Sequence, residues 1–525
     1  MRFTWIVIFM LLISISGAVY HLPDTEMKNG ANLTFSGGKI FNSTNGSSQT
    51  DLMTIWQGWD KINKTDSIDP NRIDLSKNWN GQMHNVTNGT AAQDGVTYSQ
   101  TIHAGSNSSL GGYAITSQLA PQNTVRVFRF AVPWIGTNVA VAQRGDGLPI
   151  SISSNNTTAI QAAINSGAAQ VRLYNLFTNT GCVYLNRNVD LVGCGWGTGI
   201  KGATSPLLKS DIYASHIVTV SDMSIETTSS NEGLNVTKTW IASSNPSVFL
   251  RNVNFTASGN AGKLFSLYGC TGGNAIGCKF ESSNEASNMA YGAYVWGNST
   301  GGAMNFDFDQ CTFYDLQYAI AAIGNYNYGY LAGIGMKNCK SLACKFGFYG
   351  VGVDAPNIKN NMIDQVRFGV YLLDCQNGDV AGNYIGVASG YPAGQYGHCI
   401  SFDAQHVNSW MNAATENTLV QYNSTVPANG VSCVGASVTI WADRPQIHGN
   451  RIRNCLYGVY LGAYTLVANV RDNMIDGAKT SGIKVDTGAS NNVLSGNEID
   501  ESTAIQDSGT ATTRDNNYDD GSNIS

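Results

Sequence analysis

The chain alternates apolar and polar residues over short stretches of four to six positions, each bounded by Gly, Asn or Asp. That is the period of strands with turns between them, not of helices. In the second half the alternations fall into a repeated phrase: apolar, two further residues, Asn, one residue, apolar. It reads IKNNMI at Ile358–Ile363, VAGNYI at Val380–Ile385, IHGNRI at Ile447–Ile452 and VRDNMI at Val470–Ile475, with VLSGNEI at Val493–Ile499 carrying one extra residue. The central asparagines are Asn361, Asn383, Asn450, Asn473 and Asn497. Asn361 to Asn383 is 22 residues, Asn450 to Asn473 is 23 and Asn473 to Asn497 is 24. Gly-led apolar runs accompany the phrase: GVYLL at Gly369–Leu373, GVYL at Gly458–Leu461 and GIKV at Gly482–Val485.

A unit this short cannot bury its own apolar face, so the repeat predicts a solenoid of stacked coils. Three short strands and their turns fill each unit, which predicts an all-β parallel β-helix with coils about 4.8 Å apart. A buried Asn at one turn of every coil passes side-chain hydrogen bonds up the stack, and Asn tolerates the left-handed backbone of such turns. Upstream, VSDMSI (Val220–Ile225), LRNVNF (Leu250–Phe255), IGCKF (Ile276–Phe280) and DQCTF (Asp309–Phe313) keep the frame, with Met223, Val253, Cys278 and Cys311 at the ladder position. Cys339 extends it, and Asn423 fills the place between Asn383 and Asn450. The ladder so read has eleven positions from Met223 to Asn497.

Residues 19–143 lack the phrase and predict a small β-rich N-terminal domain, with Trp56, Trp59, Trp79, Trp134 and the strand-like stretch Thr124–Val132. Thr158–Ile164 has helical spacing with Thr157 or Thr158 as N-cap, which predicts a short helix covering the open end of a solenoid spanning 144–504. Residues 505–525 read as a polar C-terminal tail. Met1–Ala18 reads as a secretory signal: Arg2, the apolar run Phe3–Ile15, then Ser16-Gly17-Ala18. An uncleaved anchor is the alternative, for which the run is short. Asn-x-Ser/Thr acceptors cluster before residue 110, as on an exported glycoprotein surface.

Only 13% of the residues are charged, about half the usual share, so the surface is built of Ser, Thr, Asn, Gly and Tyr. A net charge of −6 without a Lys/Arg cluster excludes nucleic acid as the expected partner. Of the eleven cysteines, Cys278, Cys311 and Cys339 fall on the ladder, where adjacent coils permit disulfides and burial suits free thiols equally. Cys182 and Cys194 are near enough in sequence to bridge. No Cys/His spacing suggests a metal site, and no cofactor is expected.

The order GDG, TTAIQAAIN and VYLNRNVDLVGCGWGTGIKG, from Gly145 to Gly202 and followed by the coils, resembles the opening of the pectate lyase-like superfamily. The resemblance covers residues from about 144 to 500. It implies a right-handed single-stranded parallel β-helix capped by the short helix, extracellular and facing carbohydrate, as in polysaccharide lyases, hydrolases and phage tailspikes. The catalytic patterns of polygalacturonase-like members do not recur. Gly397-His398-Cys399 and Gly482-Ile483-Lys484 only approach Gly-His-Gly and Arg-Ile-Lys, so no catalytic residue carries over.

Candidate chemistry comes from strands that end in Asp: Asp354, Asp374, Asp403, Asp443 and Asp486. The coil order lines up Asp354, Asp374, Asp403 and Asp443 in four consecutive coils, about 5 Å apart if equivalent. Carboxyls at about 5–5.5 Å suit a retaining glycosidase and at about 6.5–9.5 Å an inverting one; crowding raises one pKa, and such a row also suits Ca²⁺. The competing reading is that Asp simply makes good turns. Asp374, Asp403 and Asp443 are the candidate catalytic carboxylates. Asp354, Tyr371, His398, His406, Trp410 and Trp441 are candidate substrate contacts, though aromatics in strands also stack structurally and both histidines also suit structural roles. An insertion containing Tyr391 and Tyr396 lies beside them. Three functions stay open: a secreted β-helix that binds and cleaves polysaccharide, a virion spike or cell-surface receptor-binding protein that forms a homotrimer, and an inert solenoid.

Overall fold

A computed structural model describes Asn32–Phe35, Gly38–Asn42, residues 124–132 and residues 137–524, apart from loops at 213–216, 229–231, 239–246, 259–261, 283–289, 299–300, 326–330, 389–396, 423–427 and 501–502. The signal segment, the four tryptophans up to Trp134, the sequons at residues 45–107, Tyr391, Tyr396 and Asn423 lie outside the described residues. The chain forms two compact units. One spans 1–122 and 146–150 and contains the antiparallel pair Asn32–Phe35 and Gly38–Asn42; the other spans 123–145 and 151–525 and is a parallel β-helix.

One coil defines the helix. Strand Asn357–Lys359 belongs to sheet A, Met362–Val366 to the 15-stranded sheet B and Phe368–Leu373 to the 13-stranded sheet C. Each pairs in parallel with its equivalent one coil on. From this coil on the inward rows are apolar: Ile358, Val380, Ala414, Ile447, Val470 and Leu494 on sheet A, and Ile363, Ile385, Leu419, Ile452, Ile475 and Ile499 on sheet B. Leu494 rather than Val493 occupies the frame, so the last phrase has no extra residue. In earlier coils sheet B turns Phe255, Phe280 and Phe313 inward, stacked at 4.8 Å.

The turn from sheet A to sheet B divides its work between two residues. The left-handed position is the one before the ladder. It is held by Asp222, Asn252, Gln310, Asn338, Asn360, Glu416, Asp472 and Asn516 at φ 51–57° and by four glycines at 63–66°. The next residue turns inward. Asn361 donates through Nδ2 to Asn383 Oδ1 (2.9 Å) and to the Met336 carbonyl (2.8 Å), while its backbone N–H shares Asn383 Oδ1. The same set recurs at Asn383, Asn417, Asn450, Asn473 and Asn497. Asn417, not Asn423, is therefore the rung after Asn383, 34 residues on. At the upstream junction the Cys339 N–H donates to Asn361 Oδ1 at 2.8 Å.

Three further findings adjust the sequence reading. Thr124–Val132 pairs in parallel with Gln170–Leu173 inside the solenoid, rather than in a separate N-terminal domain. The helix is Asn156–Asn165, capped by Asn155, whose side chain accepts from the Thr157 N–H at 2.9 Å; it buries Ala159, Ile160, Ala163 and Ile164. Past residue 504 the chain adds one more coil, with strands Ile505–Asp507, Thr513–Asp515 and Tyr518–Asp519 and the rung Asn517. None of the eleven cysteines forms a disulfide, and nine of them are buried. Among the described residues no helix is long and apolar enough to cross a membrane.

Candidate functional site

Sheet C presents three outward rows, set by counting from the glycine of each Gly-led run, or from Cys399 in the coil where that residue takes the glycine's place. The second residue after it gives Tyr349, Tyr371, Ser401, Ser432, Tyr460 and Lys484. The fourth gives Val351, Leu373, Asp403 and Val434. The residue before the glycine adds Phe346, Phe368, His398 and Asn429, with Tyr457 two residues before Val459 as Asn429 is before Val431. Two coils whose outward residues are polar apart from Val434 thus lie between two aromatic tiers. Tyr371 and Tyr460 are three coil steps apart, about 14 Å.

Both tiers are buttressed. Below, Tyr371 stacks on Tyr349 at 5.6 Å, Phe368 on Phe346 at 4.7 Å, and Arg367 lies over Phe368. Above, Tyr457 and Tyr460 stack at 5.5 Å; the Tyr460 hydroxyl donates to Asp486 at 2.5 Å, and Lys484 bridges to Asp486 at 3.2 Å. The lower rings lie face to face along the axis, so each covers its neighbour's face.

Between the tiers, Asp403 accepts from Ser401 Oγ at 2.9 Å and from the Tyr371 hydroxyl. Enclosure dominates these donors and, with the nearby Asp374 charge, lifts its carboxyl to about 6. It is therefore half-protonated in mildly acidic solution, as a general acid must be. Burial holds the His398 imidazole neutral, with its pKa lowered to about 4. His398 Nδ1 and Asn429 Oδ1, neighbours in one row, are buried without a hydrogen-bond partner, an arrangement that folding alone disfavours.

The other candidates are placed elsewhere. Asp374 follows Leu373 by one residue, so it leaves the row that holds Asp403. Its side chain is fully buried and its backbone left-handed, at φ 55°. It accepts from the N–H groups of Gln405 (2.6 Å), His406 (3.0 Å) and Val407 (3.3 Å) and contacts His406 Nδ1 at 2.9 Å. Asp354 and Asp443 lie in another row, interleaved as Asp354, Gln376, Trp410, Asp443. The four aspartates thus do not form one line. Trp410 is exposed with Arg444 over its ring at 5.8 Å, and Trp441 spends its indole N–H on the Val438 carbonyl. Among the described residues no three His, Cys, Asp or Glu side chains gather as a metal-ion set. Ser401, Ser432, Asn429, Tyr457 and Tyr460 were not among the sequence candidates, although the Gly-led frame gives their positions.

No family model matches the chain, and no curated protein matches it. Solved structures that match include the A-module of a mannuronan C-5 epimerase of Azotobacter vinelandii (15% identity, 69% of this chain and 95% of that one, TM-score 0.45). They include the tailspike gp49 of Pseudomonas phage LKA1 (12%, 68% and 74%, TM-score 0.47). They include also the catalytic unit of an α-1,3-glucanase from Streptomyces thermodiastaticus (13%, 68% and 66%, TM-score 0.35). These likenesses concern the parallel β-helix fold.

Proposed function

We propose that this chain is an exported polysaccharide-binding β-helix that holds a glycan in the polar interval of sheet C, and that Asp403 is its proton donor. The observation that carries this reading is the Asp403 carboxyl, enclosed between aromatic tiers, bonded to Tyr371 and Ser401, and lifted to about 6. Export rests on the N-terminal apolar segment of the sequence. Asp374 is assigned to the loop it holds, and Asp443 with Trp410 to a separate surface.

A panel of neutral and uronic-acid glycans tests the reading, with binding, reducing ends and unsaturated products all measured. Wild type is expected to bind at least one glycan and to release product fastest below about pH 6, with Asp403→Asn binding normally but releasing about 10²–10⁴-fold less. Binding without product from any glycan would leave a non-catalytic receptor-binding protein. Absence of binding would sink the proposal.

A further inference from the structure

We infer that the interval between the Tyr371 and Tyr460 tiers selects a neutral, hydroxyl-rich sugar and discriminates against uronates; this rests on the glycan-binding reading above. Two unpartnered atoms carry it. Asn429 Oδ1 is an acceptor, buried and without a donor. His398 Nδ1 beside it is also unpartnered, on a ring that burial keeps neutral, so it donates or accepts according to tautomer. Sugar hydroxyls both donate and accept, so adjacent hydroxyls satisfy both atoms. A uronate replaces the donating C6 hydroxyl by a carboxylate that only accepts, so with C6 set against Asn429 it leaves Oδ1 orphaned, and a site whose buried polar groups stay unpaired rejects the ligand strongly.

Charge points the same way. The acidic group of the interval is Asp403, which is ionised above about pH 6 and repels a second carboxylate. The cations around it belong to the two tiers rather than to the interval. Lys345 lies over Phe346 at 5.6 Å and Arg367 over Phe368 at 5.2 Å, both on the lower tier. Lys484 is paired with Asp486 on the upper one.

The test is calorimetric titration of the full chain at pH 7.5 with a neutral glucan hexasaccharide and a galacturonate hexasaccharide. Wild type is expected to bind the neutral sugar at least tenfold tighter. Asn429→Leu should weaken neutral binding at least tenfold, and Asp403→Asn should narrow the gap between the two sugars. His398→Phe, which continues the Phe346–Phe368 column, tests the same surface if Asn429→Leu does not fold. Equal or tighter galacturonate binding, or neutral binding indifferent to both row substitutions, overturns the selectivity while leaving glycan binding standing. No binding of either sugar overturns the glycan reading itself.

Discussion

The Asp374 carboxylate has exchanged water for the N–H groups of Gln405, His406 and Val407. Asp374→Ala would leave those donors without it, and a lost charged hydrogen-bond set of this kind costs about 2–4 kcal/mol. Urea midpoints should show that loss, together with faster proteolysis near His406. Asp403 behaves oppositely, since enclosure makes its ionised form costly. Its pKa rises from 3.8 unfolded to about 6 folded, so the folded chain holds the proton more tightly. Stability from this group is full below pH 3.8, falls as pH rises to 6, and stays lower beyond, by about 3 kcal/mol. His398 has the opposite slope: its pKa falls from 6.5 to about 4, so its contribution is lost as pH drops through that window. Asp403→Asn should therefore match wild type at pH 4 and exceed it by about 2–3 kcal/mol at pH 7. A difference between the two proteins that does not vary with pH would mean that Asp403 is solvated.

At the element scale, the repeat works because the turn separates a left-handed residue from an inward one, and because glycine opens the sheet C strand in most coils. A Cβ on Gly458 would sit 2.5 Å from Ile475 Cγ2 and 2.7 Å from the Gly482 carbonyl, so this glycine is required by close approach. Gly458→Ala should cost about 2–3 kcal/mol of overpacking. Asn450→Ala should cost more, about 3–5 kcal/mol. It orphans the Asn417 N–H, one Asn417 amide hydrogen and the Ala414 carbonyl in the dry interior. Thermal unfolding of the two variants tests both the sizes and their order. The strand period, the ladder and the glycines were legible because each recurs with an apolar partner. Asn417 was not, because Ala414 is a weak apolar mark and Glu416 takes the place held elsewhere by Asn, Asp, Gln or Gly. The aspartate row failed for a sharper reason. Asp374 and Asp403 both end strands, yet they differ by one residue in register, and one residue reverses the face.

Across the molecule the stack changes its means of cohesion. Early coils join through Phe255, Phe280 and Phe313 and through the thiols of Cys278, Cys311 and Cys339; later ones join through amide ladders. Neither the orphaned atoms of His398 and Asn429 nor the enclosure of Asp403 is visible in a sequence, since each depends on what three neighbouring coils place around one residue. Because each coil meets only its neighbours, stability should behave as a one-dimensional sum, and a broken rung should loosen what lies on its shorter side. Asn497 has a single rung beyond it, Asn517. Asn497→Ala should therefore let the coil of Thr513–Asp515 and Tyr518–Asp519 open locally. If the lost bonds are worth about 3 kcal/mol, amide exchange there should accelerate by about 10²-fold, while the Phe255–Phe313 coils keep their wild-type rates. Asn450→Ala should extend the fast-exchanging region back to the coil of Arg451–Arg453 and still spare the aromatic half. Equal acceleration in every coil for both variants would instead make the solenoid one cooperative unit, with the thiol–amide junction at Cys339 and Asn361 transmitting the loss in full.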